Sequence, residues 1–318
     1  MGVRPCGSYH APSSATVSVA METSETEGGD MKVGIAGIGK MGAGIASRLA
    51  SVGHEMMVWN RTADKAKATG LKVAPTPADL AAGSEAVISI LTDAPAVNSV
   101  YAQMLPAMKG RLFIEMSTVR PEVSKALAAK VKSAGGAFVE CPVGGTVGPA
   151  KEGKLFGFVG GEPADVARAR PVLEQLCRRV EHVGPVGAGA SMKLAINLPL
   201  IVYWQALGEA LSLIKHLKLD PARAMDILAD TSGAPTMMKN RAPAVAAALG
   251  GKDNAPTATI DTLKKDLVEM LAEARSRGYE APATQAALGG FERASRAGLG
   301  AKDCTAVPVH WLKSGTSA

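Results

Sequence analysis

Aromatic residues are scarce, with Phe, Trp and Tyr together making up 4% of the 318 residues. Sheets of sandwich and barrel proteins draw heavily on aromatic and β-branched side chains, so the composition argues against that class. Cysteine is equally thin. Cys6, Cys141, Cys177 and Cys304 form no C-x-x-C pair and no Cys/His cluster, and His10, His54, His182, His216 and His310 show no H-x-x-x-H spacing. A zinc site and a disulfide framework are both disfavoured, no metal is expected, and a reducing cytoplasm fits best. The net charge of +6 is spread without a Lys/Arg block, which argues against a nucleic-acid partner. A mild positive field would instead favour phosphorylated cofactors and carboxylate substrates. The longest apolar stretch, Leu194–Leu213, is interrupted by Asn197, Pro199, Gln205, Gly208 and Glu209, so no membrane span is expected. Residues 1–30 lack the apolar core of a secretory signal and read as a disordered tail, with the folded part starting at Met31.

Apolar residues, by contrast, make up 47% of the chain, and Ala and Gly abound. From Lys32 onward short apolar runs alternate with helical stretches. Strands are expected at Val33–Ala36, Met56–Trp59, Leu71–Ala74, Ala86–Leu91, Leu112–Glu115 and Ala137–Glu140. Helices are expected at Met41–Val52, Ala63–Thr69, Thr76–Ala82, Ala94–Met104 and Pro121–Ser133. Repeated βα units demand a parallel sheet with helices on both faces. Two more strands, Leu155–Gly160 and Arg179–Val183, flank a helix over Pro163–Cys177. After the turn Gly184–Gly189 no strand is expected. Helices follow at Ala190–Leu217, Asp220–Asp230, Ala258–Gly278 and Ala281–Ala297, the third carrying Leu263, Leu267, Met270, Leu271 and Ala274 at helical spacing. The reading is an α/β domain over 31–190 and an all-helical domain over 191–318, joined by a long helix.

The segment Gly37-Ile38-Gly39-Lys40-Met41-Gly42 is a G-x-G-x-x-G that follows a strand and opens a helix. In that context Gly37 permits the tight turn, Gly39 lets a pyrophosphate approach the backbone, and Gly42 lets helix and sheet pack closely. The end of the second strand reads Trp59-Asn60-Arg61-Thr62, with no acid to accept from a ribose 2′-hydroxyl. Arg61 offers a planar guanidinium to a 2′-phosphate, Thr62 a hydroxyl, and Asn60 an uncharged partner for a ribose or phosphate oxygen. NADP(H) is therefore the expected cofactor, with NAD(H) as second choice.

Five motifs occur in order: Gly37–Gly42, Glu115-Met-Ser-Thr118, Cys141-Pro-Val-Gly-Gly-Thr-Val-Gly-Pro-Ala150, Gly187-Ala-Gly-Ala-Ser-Met-Lys193-Leu-Ala-Ile-Asn197 and Lys265-Asp-Leu267. In these the sequence resembles the β-hydroxyacid dehydrogenase family, over nearly everything after Met31. The resemblance implies a Rossmann domain, a long interdomain helix and an all-α C-terminal domain. It implies interconversion of a small hydroxy acid and its semialdehyde, with Lys193 as the catalytic lysine. It places Leu91, Thr92, Thr118 and Lys265 on the cofactor, and Ser117, Gly144, Gly145 and Asn197 on the substrate, a small carboxylate. It also implies a homodimer or homotetramer.

Chemistry supports the lysine. Hydride addition to a carbonyl leaves an oxygen that must gain a proton, and burial readily tunes a lysine for that task. Asn197, four residues on, shares its helix face and can hold the substrate hydroxyl or orient the lysine. Two departures from the family pattern stand out: Gly144 where a serine is usual, with Thr146 adding a hydroxyl nearby, and Glu140 where an aspartate is usual. Two other readings are an imine reductase-like enzyme and a catalytically silent cofactor-binding protein; Lys193 argues against both.

Overall fold

The structure, a computed structural model, describes residues 31–314; the expected tail, Cys6 and His10 lie outside them. The chain opens with β1 (Lys32–Ala36), α1 (Lys40–Ser51), β2 (Glu55–Trp59), α2 (Ala63–Lys67), β3 (Lys72–Val73), α3 (Pro77–Ala82), β4 (Ala86–Ser89) and α4 (Ala94–Met104). It continues through β5 (Leu112–Glu115), α5 (Pro121–Ser133), β6 (Ala137–Glu140), β7 (Val143–Gly144), α6 (Val147–Glu152), β8 (Leu155–Gly161), α7 (Pro163–Leu176) and β9 (Cys177–Gly184). The rest is helical: α8 (Ala188–Ile214), α9 (Pro221–Ala229), α10 (Thr236–Leu249), α11 (Ile260–Ser276), α12 (Pro282–Ala294) and α13 (Ala306–Ser314).

The sheet runs β3-β2-β1-β4-β5-β6-β8-β7, with β9 on the free side of β8. The strands from β3 to β6 are parallel, and β4 to β6 are buried along their whole length, as continuous apolar runs covered on both faces must be. One apolar layer packs α1 and α7 against one face; α3, α4 and α5 cover the other. Strand order reverses between β1 and β4, so the crevice at their carboxyl ends is where such a sheet takes its ligand.

The parallel order expected of the βα units ends at β8, which runs antiparallel to β6 and β7. Pro142, lacking an N–H, interrupts the line from β6 to β7 but still accepts from Phe158 N at 3.1 Å. The short α6 then turns the chain back. Helix α6 packs on α1, with Gly44 leaving room for Ala150.

Helix α8 is the axis of the helical half. Ala188–Leu217 is long and apolar enough, by length and composition, to cross a bilayer. In the fold it supplies Leu194, Ile201, Trp204, Leu207 and Leu211 to a core closed by α9 to α13. Prolines lie inside α7, α8 and α10 (Pro171, Pro199 and Pro243).

Candidate active site

The turn after β1 is built by steric exclusion. Gly37 has φ 104°, and a Cβ there would sit 2.3 Å from the Ile90 carbonyl oxygen and 2.9 Å from Leu91 Cδ2. A Cβ on Gly42 would lie 1.9 Å from the Gly37 carbonyl oxygen, while one on Gly39 would meet nothing within 4 Å. The first and third glycines therefore close the turn onto β4 and α1, and the middle one leaves backbone open to the crevice. The opening N–H groups of α1 have no intrahelical partners, so this edge suits a pyrophosphate. The residues fit a dinucleotide.

Asn60 ties the phosphate turn to the second strand. Its Oδ1 accepts from Ile38 N and its Nδ2 donates to the Thr62 carbonyl, both at 2.9 Å. The amide oxygen and one Nδ2 hydrogen lock the phosphate turn to the end of β2, and the Ile38 N–H is spent with them, while the second Nδ2 hydrogen stays available. The Ile38 N–H is not free for a phosphate, and Ile38 is itself buried. Arg61 and Thr62 are exposed beyond this lock. Met41 packs partly against the sheet core. Lys40 reaches across to the helical half and donates to the Pro256 carbonyl.

At the end of β5 stands Ser117. The residue is 3% exposed; its Oγ accepts from Leu91 N at 2.8 Å and its N–H donates to Glu115 Oε1 at 2.6 Å. Glu115, 1% exposed, also accepts from Ser89 Oγ at 2.5 Å, and Ser89 bonds Tyr101 at 2.9 Å. Burial raises the Glu115 pKa against these hydrogen bonds, and raises that of Tyr101 further. Ser117 thus lies beneath the site, as part of a polar brace that holds Leu91 and Thr118 at its rim. Thr92 is exposed, its hydroxyl on Asp93.

Across the cleft, Lys193 lies in the second turn of α8 and donates to Asn197 Oδ1 at 3.1 Å. The side chain is half-buried, and enough protein surrounds the ammonium for lost hydration to pull its pKa down to about 8. Asp266 opposes that shift and Lys265 reinforces it. Both come from α11: Lys265 Nζ pairs with Asp266 Oδ1 at 2.8 Å and donates to the Thr118 carbonyl at 3.0 Å. Arg120 adds a second bridge to α11 through Glu269 at 2.9 Å. Lys193, Asn197, Lys265 and Thr118 are therefore brought together where the two halves meet. Asp266, buried rather than on a solvated face, joins them; its signal was its place in the K-D-L motif.

Gly144 sits in β7 beside Phe156, and Gly145 follows at φ 125°. Thr146 starts α6 without a side-chain capping bond. Among the described residues no cluster of His, Cys, Asp and Glu has metal-binding geometry.

Residues 32–184 match the NAD binding domain of 6-phosphogluconate dehydrogenase. Residues 187–311 match the NAD-binding domain of NADP-dependent 3-hydroxyisobutyrate dehydrogenase. Glyoxylate/succinic semialdehyde reductase 1 of Arabidopsis thaliana is 31% identical over 285 residues, covering 87% of this chain and 97% of that protein. The mitochondrial 3-hydroxyisobutyrate dehydrogenase of Drosophila melanogaster is 29% identical over 290 residues, covering 89% and 90%. The solved 3-hydroxyisobutyrate dehydrogenase of Salmonella typhimurium superposes with a TM-score of 0.80 at 25% identity, over 88% of this chain and 100% of that one. With the glycine turn, the topological switch point and the two-module architecture in agreement, the chain belongs to the β-hydroxyacid dehydrogenase family of NAD(P)-dependent oxidoreductases.

Proposed function

We propose that this protein is an NADP-dependent enzyme that interconverts a small hydroxy acid and its semialdehyde, with Lys193 as the general acid and base. The carrying observation is the desolvated lysine in the cleft, bonded to Asn197 and flanked by Lys265 and Asp266. A nicotinamide cofactor held at the Gly37–Gly42 turn would supply or take the hydride. In reduction Lys193 gives a proton from Nζ to the carbonyl oxygen as the carbon gains hydride; in oxidation it removes the hydroxyl proton. A pKa near 8 leaves both protonation states accessible near neutrality, as a reversible step needs. Asn197 orients Nζ and Lys265 holds the rim at Thr118. Gly144 and Gly145 present backbone to the substrate carboxylate.

NADP over NAD rests on Arg61 and Thr62 standing exposed beyond the Asn60 lock, with no acid at the end of β2. The description of the family matched by residues 187–311 agrees. We place the domain boundary near residue 190, where β9 has ended and α8 has begun. Exposed Met192, Ile196 and Leu213 on α8 support a homo-oligomer. A cytoplasmic location remains our reading of the cysteine usage.

The test is NADPH oxidation with succinic semialdehyde, glyoxylate and related C2–C4 carbonyl acids. Lys193→Ala is expected to lose about 10²–10⁴-fold in kcat while still binding NADPH. Near-normal kcat in that variant would remove the assignment.

A further inference from the structure

Glu140 lies at the end of β6, 1% exposed, and its carboxylate faces the first turn of α8. Oε1 accepts from Gly187 N at 2.5 Å, Gly189 N at 2.9 Å and Ala190 N at 3.3 Å. These are donors that a helix start cannot satisfy internally, at the end where its dipole favours negative charge. The fold clears space for this contact. A Cβ on Gly160 would sit 2.4 Å from Glu140 Oε1, and one on Gly189 would sit 2.4 Å from the Phe158 carbonyl oxygen and 3.3 Å from Glu140 Cγ. Gly187 has φ 102°, so the three N–H groups converge. A buried carboxylate, two glycines that make its notch and a positive-φ glycine that aims the donors form one device. It joins the sheet to the helix that carries Lys193 one turn further on.

We propose that Glu140 is a positioning residue for proton transfer: it clamps the first turn of α8 to the ends of β6 and β8 and so sets where Lys193 Nζ stands in the cleft. Downstream of Asn197, α8 is held by apolar packing in the helical core. Its start is held by directional hydrogen bonds to a buried carboxyl group, and that is the end where the lysine sits. The longer side chain in place of the family's usual aspartate has its extra methylene accommodated by Gly160 and Gly189. The inference rests on the reading of Lys193 as the proton donor.

The experiment compares Glu140→Gln, Glu140→Asp and Gly160→Ala in the full chain. Gln keeps an acceptor but loses the charge; Asp keeps the charge at shorter reach; the Gly160 methyl crowds the notch and leaves Glu140 intact. Each is read by kcat, NADPH affinity, pH–rate profile and Tm, with Val172→Ala on α7 as a variant that loosens the sheet core away from α8. The expected result is a kcat loss of about tenfold for Gln and Gly160→Ala and less for Asp. NADPH affinity should be unchanged, and the break in the pH–rate profile should move up from about 8 as the ammonium regains water. Wild-type kcat and pH profile in folded Glu140→Gln would overturn the inference, as would losses that follow Tm alone and are matched by Val172→Ala. Should Gln fail to fold, Asp and Gly160→Ala decide by the same readouts. Activity surviving in Lys193→Ala sinks the proton-transfer reading itself; an inactive Lys193→Ala beside an unaffected Glu140→Gln sinks this inference alone.

Discussion

The glycine turn and the lysine cluster hold their groups in opposite ways. At the turn, position is set chiefly by what is missing: side chains at Gly37 and Gly42 would collide with backbone, while Gly39 leaves an open face. In the helical half, position is set by added polar contacts: Glu140 on the start of α8, Asn197 on Lys193, and Lys265 on the Thr118 carbonyl. Steric exclusion has no alternative state, whereas polar contacts can be loosened one at a time. Removing a steric exclusion at Gly37 or Gly42 should therefore be all-or-none and removing a single polar contact graded.

The largest effect should come from Gly42→Ala. Its methyl would meet the Gly37 carbonyl oxygen at 1.9 Å, so either the turn opens or α1 leaves the sheet. An overpacking cost of about 3 kcal/mol or more is expected, with NADPH binding lost in a fluorescence titration and Tm lowered. A Gly39→Ala variant that keeps its Tm but binds NADPH more weakly would sharpen the contrast, since that Cβ enters open space.

Next in size is Arg61→Ala. Loss of a charge-assisted contact to a 2′-phosphate should weaken NADPH by about tenfold while leaving NADH nearly unchanged. Equal losses for both cofactors would move the preference elsewhere.

Lys265→Met should cost less, a several-fold drop in kcat/KM, because Arg120–Glu269 still bridges α11 to the nucleotide half. A full loss of activity would mean that Lys265 does more than hold the rim.

The smallest effect should be a gain. A lysine whose folded pKa is about 8 against an ordinary 10.5 binds its proton more weakly folded than unfolded. The cost to stability is present in full below pH 8 and fades as pH rises towards 10.5. Lys193→Met should thus raise Tm by a few degrees at pH 7 and by less at pH 10, a difference that thermal melts at the two pH values would resolve.

Legibility in the sequence divides along the same line. The strands from β1 to β6, the glycine turn and α8 could be read, because glycine spacing and continuous apolar runs leave little choice of structure. Helices α6, α10 and α13 could not. Each contains proline, and α6 a glycine as well, which locally read as loop. The antiparallel entry of β8 is a tertiary fact: Pro142 gives no local sign of which way the next strand runs. At the site, Lys193, Asn197 and Lys265 were marked by their motifs, and the structure brings them together. The backbone partners of Ser117 and Asn60 could not be read, because a polar side chain at a strand end looks the same whether or not it also bonds the backbone beside it. Glu115 stood in a motif and Glu140 stood out against the family pattern, but their buried partners Ser89 and Gly187 lie far off in sequence and could not be read.

The most direct test of the central claim is the pH dependence of kcat in both directions with saturating cofactor and substrate. If Lys193 carries the proton, reduction should fall above about pH 8 and oxidation should rise through the same value, with both breaks absent from the residual activity of Lys193→Ala. A profile flat between pH 6.5 and 9.5, or a break that persists in Lys193→Ala, would contradict it.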